Sequence, residues 1–245
     1  METAGIYYLS DILLTDPPYG TDFTEGDIKV EDDTWQNIRK VVNPDGLLMI
    51  MGYAPKLFEW GRNFSDMKML GYIVWYKPNE PMISPGLTRI HQDIAIWGKS
   101  IKQLKAGEVR EPYRFAPPMD KWYGIEHTNP LGKRLARPKS PEGRRCTDLW
   151  EINVPYHGFN VQYRLHPHQK PNSLVERLIL LGSKENDLIL DPFLGSGTTA
   201  YCAKKLGRKC IGIEIEEKYC EIAANRCKQE ILPLEYSNVS TDSGS

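Results

Sequence analysis

The stretch that decides the fold is Asp191-Pro-Phe-Leu-Gly-Ser-Gly-Thr-Thr199, together with the apolar residues directly before it. Residues 187–190 predict a short buried strand, and Gly195 and Gly197 predict a tight turn in which the backbone can approach a ligand closely. A helix is expected from Thr198, and the free amides at its start suit an anionic group. The stretch therefore predicts a ligand-binding loop between a strand and a helix.

This loop differs from the common phosphate-binding patterns. No Lys follows the second glycine as in a phosphate loop, and the full G-x-G-x-x-G pattern is absent. The next predicted strand ends at Ile213-Glu214, and Glu214 lies 23 positions after Asp191. That spacing is close to the roughly 20 residues that separate a glycine loop from an acid holding ribose hydroxyls. The plainer alternative is a helix start with turn glycines.

A second unusual stretch, Asp16-Pro-Pro-Tyr19, follows an apolar run at 11–15. Two prolines stop a central strand, so the motif lies just beyond a strand end. Asp16 and the carbonyl of Pro17 could accept the two hydrogens of an amino group, and Tyr19 could stack on a planar ring. The motif thus suits an amino-substituted base, and the plainer alternative is a proline-rich turn with a surface tyrosine.

Strands and helices alternate along most of the chain, which predicts a doubly wound, mostly parallel α/β sheet. Such sheets bind ligands beyond the carboxyl ends of their strands, where both motifs lie. The expected strands are 11–15, 47–51, 72–76, 93–97, 187–190 and 210–213, the expected helices are 33–42, 54–66, 172–182, 198–206 and 216–230, and a turn is expected at 43–46.

The segment 99–163 lacks clear periodicity and mixes aromatic residues with Arg, Lys, Pro and Gly, which predicts an irregular insert outside the sheet. Between Lys99 and Trp150 there are twelve basic and six acidic residues, although the whole chain has a net charge of −1. A local basic excess is what a surface for a polyanion needs, and a solvated charged loop is the alternative.

Composition narrows the class of protein. The length of 245 residues fits one large α/β domain, or one domain with an inserted module. The five cysteines form no C-x-x-C pair, so we expect reduced thiols and no metal site. No apolar run reaches the ~18 residues of a membrane span, and residues 1–10 do not read as a secretory signal, which predicts a cytoplasmic protein without a membrane partner.

Taken together, the motifs resemble the amino-group DNA methyltransferases, the bacterial and phage family that makes N6-methyladenine or N4-methylcytosine. Asp16-Pro-Pro-Tyr19 looks like the family's catalytic motif, and 191–199 looks like its methionine-binding loop. His166-Pro-His-Gln-Lys-Pro171 is similar to a segment before that loop in one subgroup, and the strand pair at 73–77 and 89–96 is also similar. The order of the motifs is typical of the beta group, and the resemblance covers roughly residues 11–98 and 163–230.

The resemblance implies a class I, Rossmann-like methyltransferase fold that uses S-adenosylmethionine and no metal. It implies that Asp16 and the Pro17 carbonyl orient the target amine, that Tyr19 stacks on the flipped base, and that Glu214 binds the cofactor ribose. The implied catalytic set is Asp16, Pro17, Pro18 and Tyr19, and the implied cofactor set is Lys170, Pro171, Asp191, Phe193, Gly195, Ser196, Gly197, Thr198, Glu214 and Ile215.

The resemblance also divides the chain. Residues 1–98 are expected to form the catalytic half, 99–163 the target-recognition insert, 164–236 the cofactor-binding half and 237–245 a disordered tail. The expected partner is double-stranded DNA in a bacterial or phage-infected cell. Only ten residues precede Asp11, fewer than is usual for this motif order, which leaves a homodimer or a partner subunit open.

Several functions remain open from the sequence. Asp rather than Ser before Pro-Pro-Tyr favours adenine N6, with cytosine N4 as the alternative. Carbon-5 cytosine methylation is rejected, because it needs a Cys nucleophile, usually in a Pro-Cys pair that this chain lacks. The remaining alternatives are a catalytically deficient DNA-binding relative that needs a partner, and a methyltransferase acting on RNA or protein.

Overall fold

The computed structural model describes residues 9–20, 28–78, 87–106, 109–111, 144–154 and 168–228. Its centre is a seven-stranded sheet. The strands are β1 (Ser10–Thr15), β2 (Val42–Gly52), β3 (Lys68–Tyr76), β4 (His91–Gly98), β7 (Leu149–Glu151), β8 (Leu188–Asp191) and β9 (Lys209–Gly212), and a separate ribbon pairs β5 (Arg110–Glu111) with β6 (Arg144–Arg145).

The order of strands in the sheet is β7-β3-β4-β2-β1-β8-β9. β4 runs antiparallel to both of its neighbours, while the other four pairings are parallel. The carboxyl ends of β1 and β8 therefore meet at one edge of the sheet. Because β4 runs the other way, its first residues lie at that same edge.

Helices cover both faces of the sheet, as a doubly wound fold requires. They are α1 (Asp32–Val41), α2 (Ala54–Gly61), α3 (Asn172–Gly182), α4 (Thr198–Lys205) and α5 (Glu217–Lys228). β1 shows why both faces are apolar: Ile12 and Leu14 pack into the core cluster shared with α3 and α4, and Leu13 packs with Trp35 and Trp60 of α1 and α2. The predicted α/β, doubly wound, mostly parallel fold is confirmed.

Most predicted elements are found within one to three residues of their expected bounds, and α3 has the bounds that were predicted. The predicted helix at 54–66 ends earlier, at Gly61, and continues as a 3-10 turn over Arg62–Phe64. The predicted turn at 43–46 lies inside β2, where the register with β1 jumps from Ser10↔Val42 to Ile12↔Leu47. The amide of Asp45 donates to Asn43 Oδ1 at 3.1 Å, a hydrogen bond typical of turns. The predicted turn is therefore present as a bulge within the strand.

The expectation that 99–163 lies wholly outside the sheet is wrong at its carboxyl end. β7 pairs in parallel with β3, and Trp150 is buried in the main core with Ile152 and Val154. Three residues are too few to show the alternating pattern of a strand, so this strand could not be predicted from the sequence. Residues 107–108, 112–143 and 155–163 of the predicted insert, and the predicted tail 237–245, lie outside the described residues. Within the described ranges, no helix is long and apolar enough to cross a bilayer.

Candidate active site

Two loops meet where β1 and β8 end side by side. The strands pair through Ile12↔Ile189 and Leu13↔Leu190, so the residues that follow them, Asp16 and the loop after Asp191, come together. This is the edge at which open α/β sheets bind ligands. The sequence predicted this meeting of the two motifs, and the structure confirms it.

Asp191 joins the two loops through a buried hydrogen bond. The hydroxyl of Thr15, the last residue of β1, donates to Asp191 Oδ1 at 2.7 Å, and the amide of Phe193 donates to the same oxygen at 3.2 Å. Burial raises the pKa of Asp191 to about 6, although hydrogen bonds from Thr199, Thr15 and the Phe193 amide oppose the rise. The negative charge of Asp16 adds to it. The pKa of Asp191 therefore lies above the usual value for an aspartate.

Asp16 is surrounded by hydrogen-bond donors from distant parts of the chain. Gln92 Nε2, on β4, donates to Asp16 Oδ1 at 2.9 Å, and the Tyr19 hydroxyl donates to the same oxygen. Lys170 Nζ forms an ion pair with Asp16 Oδ2 and also donates to the carbonyl of His168 at 3.3 Å. All of these partners are donors, so both carboxyl oxygens of Asp16 accept hydrogen bonds.

Lys170 was expected beside the cofactor, as the resemblance implied. In the structure its ammonium contacts Asp16, and Pro171 is the N-cap of α3 with a buried side chain. Lys170 thus links the loop after β1 to the segment before α3. Its predicted contact with a cofactor stays a prediction.

The ring of Tyr19 packs on an aromatic wall. Tyr53 lies edge-on to it with centroids 5.2 Å apart, and Trp60 lies nearly parallel at 6.2 Å. Trp60 contacts Trp35 at 5.2 Å, and Trp35 contacts Phe193 of the other loop at 6.4 Å. The aromatic residues of both motifs therefore belong to one cluster of contacting rings, which restrains the ring of Tyr19.

The loop after β8 has the backbone that its glycines predicted. Gly195 and Gly197 have φ of 55° and 79°, which is the left-handed region, and Gly197 is the N-cap of α4. A Cβ on Gly197 would lie 2.6 Å from the Cβ of Ala223 on α5, so this position also excludes a side chain by space. The loop thus presents its backbone at the start of a helix, as a close-fitting anion site does.

Arg226 of α5 connects this loop to α5 and to the start of α3 through hydrogen bonds. Its Nη1 donates to the Ser196 carbonyl at 2.9 Å and to Thr198 Oγ1 at 3.0 Å, and its Nη2 donates to Asn172 Oδ1 at 3.2 Å. Burial lowers the pKa of Arg226. Sequence reasoning missed this residue because nothing local in the α5 pattern distinguishes it from a surface arginine.

Glu214 lies beyond the end of β9, beside the glycine loop. Its Oε2 accepts from the Gly195 amide and its Oε1 from the Glu216 amide, both at 2.8 Å. Each oxygen keeps a lone pair for a further donor such as a hydroxyl. Ile215 is 90% exposed and Ile213 is 56% exposed, so apolar surface stands next to the carboxylate. An exposed apolar side chain beside a fixed acid suits a planar ring joined to a sugar.

Comparison with known proteins agrees with this geometry. The family model for DNA methylases of the N6 and N4 type matches residues 10–225. The type II methyltransferase M.HpaI of Haemophilus parainfluenzae is 28% identical in an alignment of length 235 that covers 90% of this chain and 68% of that protein.

Two solved structures share the fold. The M1.HpyAVI–SAM complex has a TM-score of 0.58 at 24% identity and covers 90% of each chain. The PvuII DNA methyltransferase, which is described as cytosine-N4-specific, has a TM-score of 0.58 at 16% identity and covers 94% of this chain and 83% of its own. The family match over most of the length shows that this chain belongs to the DNA methylase family, the amino-group methyltransferases that use S-adenosylmethionine to modify adenine N6 or cytosine N4 in DNA.

Proposed function

We propose that this chain transfers a methyl group to adenine N6 at specific sites in double-stranded DNA. The observation that carries the proposal is the setting of Asp16, an anionic acceptor at the carboxyl end of β1 beside the loop after β8. Adenine is preferred to cytosine because Asp, not Ser, precedes Pro17-Pro18-Tyr19. The target base must leave the helix, because an amino group inside the stack is out of reach.

The residues around the loop after β8 fit S-adenosylmethionine. Gly195 and Gly197 expose backbone at the start of α4, and the Glu214 carboxylate has room for ribose hydroxyls beside the exposed Ile215. Asp191, Phe193, Ser196 and Thr198 would surround the amino-acid end, and Lys170 and Pro171 would lie beside the same end. When bound, this cofactor supplies a methyl group on a positively charged sulfur.

Asp16 and the Pro17 carbonyl would each accept one N–H of the target amine. An exocyclic amine is a poor nucleophile because its lone pair is delocalised into the ring, and two such hydrogen bonds favour a more tetrahedral nitrogen. Tyr19 would stack on the flipped base from its place on the aromatic wall. Positioning and fixed charges then supply most of the rate, so no covalent bond between enzyme and base is needed.

The test is methyl transfer from labelled S-adenosylmethionine to unmethylated genomic DNA, followed by analysis of the nucleosides. Label in N6-methyladenine that is absent with Asp16→Ala supports the proposal. Label in N4-methylcytosine would show that the target base is cytosine and not adenine. No label in DNA, with label transferred to RNA or protein or with no transfer at all, would overturn it.

A further inference from the structure

Gln92 is a buried amide that contacts Asp16 and Tyr19, and the proposed function gives it no part in methyl transfer. It is the second residue of β4 and only 2% exposed. Because β4 runs antiparallel to β2, pairing Asp93 with Gly52, its start lies at the edge where β1 ends. The direction of one strand thus brings a neutral donor, 76 positions away in sequence, next to Asp16.

Gln92, Tyr19 and Asp16 form a closed ring of hydrogen bonds. Gln92 Nε2 donates to Asp16 Oδ1 at 2.9 Å and to the Tyr19 hydroxyl oxygen at 2.5 Å. The Tyr19 hydroxyl in turn donates to Asp16 Oδ1. Oδ1 thus receives two donors, which fill its two lone pairs. Among the described residues Asp16 Oδ2 accepts from Lys170 alone, so it keeps a lone pair.

In this ring Gln92 is always the donor and Asp16 always the acceptor. An acid in place of Gln92 would not keep these roles. A side-chain amide does not gain or lose a proton in the working pH range. It therefore donates to the Asp16 carboxylate at every such pH and does not share a proton with it. Two carboxyl groups at this distance cannot both ionise freely and share one proton instead. A neutral donor is therefore the side chain that keeps Asp16 a pure acceptor.

We propose that Gln92 is a positioning residue for methyl transfer, which occupies Asp16 Oδ1 and the Tyr19 hydroxyl so that Asp16 Oδ2 faces the target amine. The inference rests on the proposed function, because it requires Asp16 to be the acceptor of the amine. Gln92 itself acts through Asp16 and Tyr19. Its effect falls on the rate of transfer and not on the binding of S-adenosylmethionine.

The sharpest variant is Gln92→Glu, which has nearly the same shape. When the new carboxyl is protonated it can donate to Asp16, as the amide does. When it is ionised, two anions face each other and the ring opens. The variant should therefore work at low pH and fail at high pH, whereas the wild type has no such step.

Other titratable groups near the ring can also change the rate of transfer with pH. At saturating S-adenosylmethionine, any change of cofactor affinity with pH does not affect the measured rate. The groups on the surrounding segments are Asp16 and Tyr19 after β1, Lys77 after β3, His91 and Asp93 on β4, Lys170 before α3 and Asp191 at the end of β8. Wild type and variant share all of them, so only the difference between the two profiles reports on position 92.

The experiment measures the single-turnover rate on unmethylated DNA from about pH 5.5 to 8.5 at saturating S-adenosylmethionine. We expect Gln92→Glu to be within about threefold of wild type at the acid end and more than about tenfold slower at the alkaline end. Gln36→Glu, the same change at an exposed position of α1, is the matched control and should follow the wild-type profile. The dissociation constant of S-adenosylmethionine should be unchanged in both.

Gln92→Leu covers the case in which Gln92→Glu does not fold. It should lower the single-turnover rate about tenfold at every pH and leave cofactor binding unchanged. A Gln92→Glu profile parallel to wild type, or a Gln92→Leu rate within twofold of wild type, would overturn the inference. A wild-type enzyme that transfers no methyl group to DNA would instead overturn the proposed function, so the two failures are distinguishable.

Discussion

The two loops of the active site are held in different ways. The loop after β8 is held by its own backbone and by residues up to 30 positions after it: Gly197 donates to the Leu194 carbonyl at 3.1 Å, Gly195 donates to Glu214 at 2.8 Å, and Arg226 donates to the Ser196 carbonyl at 2.9 Å. The loop after β1 is held by side chains from farther away in the sequence, Gln92 and Lys170, which are 76 and 154 positions from Asp16. The first loop therefore depends mainly on contacts that are close in sequence, whereas the second depends on contacts between distant parts of the fold.

This difference suggests a division of work. The loop after β8 has the features of a cofactor site, with exposed backbone, a hydrogen-bonded acid and apolar surface nearby. The loop after β1 has one carboxylate whose orientation several remote donors determine, which is what the alignment of a target amine requires. Variants that affect one loop should therefore change cofactor binding, and variants that affect the other should change the rate.

The largest effect on rate is expected for Asp16→Ala. Loss of the carboxylate removes the acceptor for one N–H of the amine, so the rate should fall about 10²- to 10³-fold, as when one fixed hydrogen-bonding group is removed from other active sites. Single-turnover methyl transfer at saturating S-adenosylmethionine measures it. A rate within tenfold of wild type would mean that Asp16 does not orient the amine.

The next effect is on the glycine loop. Gly197→Ala puts a side chain at φ 79° and within 2.6 Å of the Ala223 Cβ, so α5 or the loop must move. We expect a loss of about 2–4 kcal/mol in the free energy of unfolding, from backbone strain and overpacking together. Cofactor affinity should also fall. Denaturant unfolding and calorimetric titration measure the two quantities.

Gly207→Ala is the matched control for that variant. Gly207 follows the C-cap of α4 with φ 73°, and among the described residues a Cβ there would meet Glu185 Cγ alone, at an ordinary 3.7 Å. It should cost about 1–2 kcal/mol from backbone strain alone and leave cofactor affinity unchanged. Equal losses for the two variants would show that the contact with α5 contributes nothing at Gly197.

A smaller effect concerns pH. Burial raises the pKa of Asp191 to about 6, so the group is mostly neutral below that pH and anionic above it. S-adenosylmethionine carries net positive charge, so its affinity should rise about tenfold between pH 5 and 7.5 as Asp191 ionises. Titration calorimetry across this range tests the sign. Asp191→Asn should flatten the rise, and an unchanged slope in that variant would assign the titration to another group.

The same contrast explains how much of the molecule was predictable. The strand, glycine turn and helix at 188–205 follow from local rules, and Gly195, Gly197 and Gly207 all have the positive φ that their positions require. The catalytic motif and its meeting with this loop were also predicted, because parallel strands end at one edge.

What the sequence did not reveal depends on long-range packing. Gln92 reaches Asp16 only because β4 is antiparallel, and the ion pair of Lys170 with Asp16 depends on where α3 begins. β7 is three residues long, and its pairing with β3 is decided by the burial of Trp150. Strand direction, the partners of charged side chains and very short strands have no periodic signal, so they appear only in the folded chain.

The central claim, that the loop after β8 binds the cofactor and the loop after β1 presents the amine, is tested most directly by comparing Asp16→Ala with Glu214→Gln. For each, the dissociation constant of S-adenosylmethionine and the single-turnover rate at saturation are measured. We predict that Asp16→Ala binds within about twofold of wild type but reacts at least about 100-fold more slowly, and that Glu214→Gln binds about tenfold more weakly but reacts within about threefold once saturated. Weak cofactor binding by Asp16→Ala, or a slow saturated rate for Glu214→Gln, would contradict the division between the two loops.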